Sequence, residues 1–469
     1  FNIYMNDKLY SNQELAQAIV AQTDNLINDL GHVSTSHYNI YIYDNNKQFH
    51  QSCSYIQGWE SGLAIKKKPE TIIIKGPEIQ TRGISQFIKV LEHELSHIYL
   101  FRRIESLRLP DWFEEGFAMY IAKEFNINKK TFLLYGIFCF LLFLFPLVMD
   151  DPFWLNKSST YLCFGLLAVS LSLAWGYTGI LNLGNAVFFG LGSYCMAMSL
   201  KLKTDAVHTG SGGLPDFMVW NNVPELPWFW EPFYSLTFGI FAGIAVPVIL
   251  ALILGFFIFG GRASGVYVAI ITLAAMIVVY LIIMDQQRYT GGFNGITDLS
   301  MLKFGKLEFD AYGPSAYYLI ATVVTITLFL TLIFTKSRAG LLFQAIRDDE
   351  NRVRFLGYNV GVYKTASLCV SAAIAGIAGM VFTIVMEFAS PTFLAVPLSL
   401  SVVIWCAVGG RQSIFGSFIG ALIITAGQGQ LSESEMFLHT WTLVMGLVFI
   451  ASVLFLPKGL AGLFERTKN

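Results

Sequence analysis

A polytopic all-α membrane body of about ten membrane segments, preceded by a small α+β head, is the fold class this sequence predicts. Three observations carry that prediction. Apolar runs of about 20 residues, each long enough to cross a bilayer as a helix, recur from Thr131 nearly to the C-terminus. The 469 residues are 54% hydrophobic and 13% charged, with a mean hydropathy of +0.55, a balance too apolar for a soluble enzyme. The stretch before Asn128 is instead polar and holds HELSH (His93 to His97) and WFEEGFA (Trp112 to Ala118). The chain thus divides into 1–127 and 128–469. Its formal net charge of −1 leaves no basic surplus for neutralising phosphates, which argues against a nucleic-acid partner.

In the head, Leu15, Ala18, Ile19, Leu26, Ile27 and Leu30 have helical spacing and stop at Gly31. TSHYNIYIYD alternates as a half-buried strand, and TIIIKG is a short buried one. An amphipathic helix from about Ser85 to Glu105 carries HELSH, and a helix after Pro110 carries WFEEGFAMYIAKEF. His93 and His97 are four residues apart, so both imidazoles leave one helix face and can bind one metal ion. Glu94 beside them is placed to take a proton from metal-bound water. A carboxylate would complete a catalytic zinc site of the two-His, one-carboxylate kind, with one position open for water. Seventeen residues separate His97 from Glu115; with a turn at Pro110, both Glu114 and Glu115 are in reach.

The body contains apolar segments near 131–149, 161–176, 180–200, 233–259, 264–284, 314–334, 365–388, 396–409, 413–430 and 439–456. The second and eighth are short, and Gly and Pro interrupt several neighbours. That pattern suits broken or re-entrant helices, because irregular backbone inside a bilayer must be buried in protein. Placing the stretch before Thr131 in the cytoplasm puts thirteen Lys and Arg on the inner side and six on the outer. Both termini are then cytoplasmic. Between the sixth and seventh segments, TKSRAGLLFQAIRDDENRVRFLGYNVGVYK (335–364) mixes charge with helical apolar spacing, as a short amphipathic helix would. It is either a solvated linker or a helix that docks on a partner. Asn182 and Asn185 are polar groups at membrane depth. Glu387 lies at membrane depth or at the outer interface, and an intramembrane ionisable residue is a functional candidate. Gly176, Gly179, Gly184, Gly190 and Gly192 serve close helix approach or contact substrate. Trp220, Trp228, Phe229 and Trp230 form an interfacial belt. Five of the six cysteines sit inside apolar runs as small packing residues, with only Cys53 in the head.

Five stretches of the body, WGYTGILNLGNAVFFGLGSY (175–194), YTGGFNGIT (289–297), AIRDDENRVRFLGYNVGVYK (345–364), VGGRQSIFGSFIGA (408–421) and LFLPKGLAGL (454–463), occur together. Residues 128–469 resemble the permease subunit of the branched-chain amino-acid and urea family of ABC importers. LPDFMVWNNVPELPWFW (214–230) is more like the urea-type members. The resemblance implies a bacterial inner-membrane importer of urea, a related small polar solute or a branched-chain amino acid. It implies ATP-binding subunits, a second homologous permease, an extracytoplasmic substrate-binding protein and surrounding lipid as partners. It also places Arg347, Asp348, Asp349 and Glu350 against the ATPase, and it implies no cofactor in the permease itself. No GxxxxGK[ST] motif occurs in this chain, so ATP belongs to another subunit. One departure stands out: the family commonly has His after Leu-Gly in its first signature, where this chain has Asn185.

The head resembles gluzincin metallopeptidases of the peptidase MA-like group over about Ser11 to Phe125. Matching its second helix to W-x-x-E-G-x-A makes Glu115 the third zinc ligand after His93 and His97, with Glu94 the base. Thr71 to Lys75 matches the edge strand that aligns an extended substrate in such enzymes. The helices that normally wall the cleft are replaced here by Asn128-Lys129-Lys130 and the first membrane segment, so the head reads as truncated. With no signal peptide ahead of it and Phe1 at the start, we expect a fragment, a joining of two genes or a bifunctional protein. The rival expectation is a membrane-anchored zinc metallopeptidase whose apolar segments serve as anchor.

Overall fold

A computed structural model describes residues 2–5, 8–9, 39–43, 62–64, 71–75, 91, 94, 129–204, 213–261, 263–305, 307–355, 357–431, 441–456 and 459–462. The chain separates into two compact units, Phe1–Asn128 and Lys129–Asn469.

In the first unit the described strands are β1 (Asn2–Met5), β2 (Lys8–Leu9), β3 (Asn39–Tyr43), β4 (Gly62–Ala64) and β5 (Thr71–Lys75). They form one sheet in the order β2-β1-β3-β5-β4. β3 lies parallel to both β1 and β5, with Tyr41 opposite Ile73, while β4 runs antiparallel to β5. The alternating strand expected in TSHYNIYIYD is β3, and its Ile40 and Ile42 are buried. β5 is not the edge strand anticipated for Thr71 to Lys75. Its two sides are hydrogen-bonded to β3 and β4, so the three-residue β4 takes the edge position. Leu91 and Glu94 are helical and buried. His93, His97 and Glu115, the helix expected over 11–31 and the WFEEGFA segment lie outside the described residues.

The second unit is helical. Its principal helices are α1 (Lys129–Val148), α2 (Pro152–Leu171), α3 (Asn185–Lys201), α4 (Leu236–Gly260), α5 (Val266–Asp285), α6 (Pro314–Lys336), α7 (Arg338–Asp348), α8 (Glu350–Phe355), α9 (Val360–Met386), α10 (Val396–Gly409), α11 (Ile414–Leu431) and α12 (Trp441–Phe455). Each of the ten apolar segments contains one of them. Among the described residues, five helical stretches are long and apolar enough to cross a membrane: Pro152–Tyr177, Leu236–Gly260, Val266–Asp285, Pro314–Lys336 and Val360–Met386. A sixth is added if α10 and α11, bent by 117° at their junction, count as one broken span.

The second segment proves longer than its apolar core. α2 begins at Pro152, where the Asp151 side chain accepts from the Phe153 N–H at 2.9 Å and Pro supplies a pre-set φ. The polar run Asn156 to Ser159 hides this first half from a hydropathy reading. The Asn156 amide is nonetheless satisfied there, donating to the carbonyls of Ala311 and Val385, each at 3.1 Å. α9 is the central helix, packed against α2, α3 and α4. Its crossing with α3 depends on missing side chains. A Cβ on Gly379 would stand 1.9 Å from the Phe189 carbonyl oxygen, and one on Gly192 would stand 2.2 Å from that of Gly376. This is the close-approach reading of the glycine-rich segment. α4 and α5 present Phe256, Phe257, Val266 and Tyr267 outward, the surface a lipid-facing helix has.

Candidate functional site

The chain breaks its helical run inside the bundle. After α2 the backbone widens into a π-helical turn, Ser172–Tyr177, and then runs without helix through 178–184 before α3 begins at Asn185. The break lies deep. Thr178 Oγ1 is 2.6 Å from Ser367 Oγ, and Ser371 Oγ donates to the Ser170 carbonyl at 2.7 Å. Ser367 and Ser371 are roughly 10 and 16 Å along α9 at 1.5 Å per residue. Non-helical backbone at that depth persists only where protein groups satisfy it.

Short side chains satisfy it here. Asn182 Oδ1 accepts from the Gly184 N–H at 2.9 Å, and its amide donates to Asn185 Oδ1 at 3.4 Å. Asn185 Nδ2 donates to Ser170 Oγ at 2.7 Å and reaches the Leu167 carbonyl at 3.5 Å. Thr272 Oγ1 accepts from the Leu183 N–H at 3.2 Å, and Ser399 Oγ donates to the Leu183 carbonyl. Asn182 and Asn185 are therefore together, fully buried, and bonded within the protein. Every side chain named in the cluster is an uncharged amide or hydroxyl.

The short amphipathic helix expected in the loop 335–364 is α7, and a second short helix, α8, follows it to make a helical hairpin over 338–355. α7 is capped by Ser337, whose hydroxyl accepts from the Gly340 N–H at 3.4 Å. Asp349 then adopts an extended backbone and its carboxylate accepts from the Asn351 and Arg352 N–H groups, both at 3.1 Å. An aspartate that caps a second helix stops the first. Ile346, Val353 and Val360 are buried together beneath the hairpin. Glu350 accepts from Arg354 at 2.8 Å and pairs with Lys364, which is buried. The four coupling candidates therefore differ. Asp348 projects outward at 67% exposure, Asp349 caps α8, Glu350 holds Lys364, and Arg347 turns inward to donate from Nη1 to the Gly176 carbonyl at 2.7 Å.

Glu387 is separate from both groups. It is the left-handed C-cap of α9 (φ 56°), roughly 24 Å along that helix from Ser371. Burial, and secondarily the Asp310 carboxylate, push its carboxyl pKa up. At the same end of α9, Ile296 and Ala389 pair by two backbone bonds of 2.8 and 2.9 Å. The ammonium of Lys201, which ends α3, is 3.0 Å from Asp216 and donates to the Thr297 carbonyl at 2.8 Å. Trp220 and Trp228 are exposed, and Trp230 donates its indole N–H to the Tyr289 carbonyl at 3.0 Å.

Ser170, Thr272, Ser367, Ser371 and Ser399 were not singled out in the sequence. Their only signal is a hydroxyl within an apolar helix, which commonly bonds its own preceding turn. Arg411 gave no sign that its carbonyl accepts from Ser172 Oγ at 2.8 Å. Among the described residues no group of three or more His, Cys, Asp or Glu could hold a metal ion.

Residues 153–453 match the family model for the branched-chain amino acid transport system / permease component. The high-affinity branched-chain amino acid transport system permease protein LivM of Escherichia coli K12 is 25% identical, over 68% of this chain and 74% of the relative. A probable branched-chain amino acid transport permease protein LivH of Methanocaldococcus jannaschii is 24% identical, over 63% of this chain and 88% of its own length. The galactofuranose transporter permease protein YtfT of Escherichia coli K12 is 24% identical over 39% of this chain and 56% of its own length. No solved structure matches.

Proposed function

The chain belongs to the branched-chain amino acid transport system permease family, and from that premise we propose that residues 128–469 are the membrane-spanning subunit of an ABC importer of the bacterial inner membrane. Its partners in this reading are ATP-binding subunits, a second permease subunit and an extracytoplasmic binding protein. The helical hairpin 338–355 faces the cytoplasm, the side on which both termini are expected, and meets the ATP-binding subunit, with Asp348 among its exposed charges. The break at 178–184, shaped by Asn182 and Asn185, lines the closed path near mid-depth, and Glu387 stands at its outer end.

The observation that carries this reading is the unwound segment inside the bundle, since importers of broken-helix type bind solute where helices are discontinuous. The named relatives carry branched-chain amino acids or galactofuranose. Beyond the solutes those names print, the solute we favour is urea. The cluster around the break offers only amide and hydroxyl groups, which suit a neutral hydrogen-bonding solute, and residues 214–230 resemble urea-type members. Uptake of radiolabelled urea and leucine, each competed by the other, tests the solute. Saturable urea uptake that leucine does not compete supports urea, and leucine uptake indifferent to urea assigns a branched-chain amino acid. Uptake of both solutes unaffected by Asp348→Lys would remove the hairpin from the mechanism.

For the head we propose a zinc-binding, peptidase-like module in which His93, His97 and Glu115 hold the ion and Glu94 acts as base. HELSH with WFEEGFA carries this reading. Zinc bound by the full chain should fall to background in His97→Ala, and uptake should survive Glu94→Gln. Equal zinc in the parent and His97→Ala would dismiss the site.

A further inference from the structure

The π-helical turn Ser172–Tyr177 receives contacts from two segments far apart in sequence, and both end in arginine-bearing turns. From the hairpin, Arg347 Nη1 donates to the Gly176 carbonyl at 2.7 Å. The rest of its fork grips Asp348, Nε at 2.9 Å and Nη2 at 2.8 Å from Oδ1. From the α10–α11 bend, the Arg411 carbonyl accepts from Ser172 Oγ at 2.8 Å, and its guanidinium lies 5.3 Å over the Trp175 ring.

The backbone is built for both approaches. A Cβ on Gly176 would stand 1.7 Å from the Arg411 carbonyl oxygen, so only glycine admits that crossing. Gly179, at φ +77°, lies against the Arg347 side chain: a Cβ there would be 3.3 Å from its Cγ. The Gly176 carbonyl is one of those that a helix leaves unpaired at its C-terminal end, and a cation there also complements the helix dipole. The grip is six residues before Asn182, the first side chain of the buried cluster. π turns are wide, uncommon and frequent at functional sites.

We infer that Arg347 is a positioning residue for transport, a strut that carries displacement of the exposed hairpin through the Gly176 carbonyl into the 178–184 break. It is not itself a contact with the ATP-binding subunit. Asp348 holds the fork from outside, and the Arg411 turn braces the far side of the π turn so that a push from Arg347 moves the break rather than the end of α2. The inference rests on the hairpin meeting the ATP-binding subunit, as proposed above.

The experiment uses the complete importer in proteoliposomes, with ATP hydrolysis and uptake of radiolabelled urea and leucine measured on the same vesicles. The variants are Arg347→Ala, Arg347→Lys and Asp348→Lys, and co-purification of the ATP-binding subunit is scored for each. Loss of one charge-assisted hydrogen bond of about 1.5–3 kcal/mol corresponds to a fall of roughly 10- to 150-fold in solute carried per ATP hydrolysed. We expect that fall in Arg347→Ala with the ATP-binding subunit still bound. Arg347→Lys, which can still reach the carbonyl but cannot also fork onto Asp348, should recover part of it. Unchanged uptake per ATP in Arg347→Ala would overturn the strut. So would loss of the ATP-binding subunit from that variant, because Arg347 would then be a docking contact. The underlying reading fails separately, if Asp348→Lys retains the ATP-binding subunit and full coupling.

Discussion

Replacing Asn185 with alanine tests whether the buried amides hold the break in shape or wait for solute. The side chain is fully buried and takes part in three hydrogen bonds, to Ser170 Oγ at 2.7 Å, to the Leu167 carbonyl at 3.5 Å and from the Asn182 amide at 3.4 Å. Losing the short bond to Ser170 costs about 1 kcal/mol, and depriving a buried amide donor on Asn182 of this partner costs about 1–3 kcal/mol. The total of roughly 2–4 kcal/mol is a large share of the 5–15 kcal/mol that typically separates folded from unfolded protein. Thermal unfolding of the purified permease should therefore shift down by roughly 3–6 °C. Ser170→Ala leaves Asn185 its contact with Leu167 and should cost only about 1 kcal/mol. The double variant should cost less than the two single changes together, because both remove the same bond. An unchanged melting point with uptake abolished would refute this reasoning and make Asn185 a solute contact.

Further outcomes follow from the packing and the charges. Gly379→Ala should destabilise by about 3 kcal/mol, although helix propensity alone favours alanine by about 1 kcal/mol, because its Cβ would meet the Phe189 carbonyl. Gly446→Ala on α12 has nothing within 4 Å of the added carbon among the described residues and should be neutral or stabilising in the same melting assay. Asp216→Ala should lower stability by about 1–3 kcal/mol, since it strands an ammonium at 3% exposure whose partner is itself only 28% exposed; Lys201→Met should cost less. Glu387 has its carboxyl pKa raised in the folded state, so folding favours the protonated form, and stability falls as pH climbs from the ordinary glutamate range through the raised value. Glu387→Gln should remove that slope: its melting point should match the parent in acid and exceed it at neutral pH, and a parallel pair of curves would refute the assignment.

Much of the body was legible because bilayer crossing leaves a local signature. Ten apolar runs each contain a helix. Hydropathy cut α2 short at the polar run Asn156 to Ser159, whose amide partners are more than 150 residues away. The short amphipathic helix expected between the sixth and seventh segments is α7, and the sequence reading stopped there: α8 starts only after the extended backbone at Asp349. In the head, β5 was recognisable from TIIIK. Its interior position was not, because β4 is three residues long with no pattern of its own.

From the chain alone came a membrane permease with a charged loop, polar residues in apolar runs and a HELSH sequence in a polar head, because each is written in composition or spacing over a few residues. Tertiary structure alone decided which of those residues meet. It put Asn182 beside Asn185 under Ser170, sent Arg347 inward to Gly176 while Asp348 points out, and carried Glu387 to the other end of α9. Those outcomes depend on helix crossings and on backbone carbonyls left open at a π turn. Neither is encoded in any single segment, since each exists only once distant helices pack.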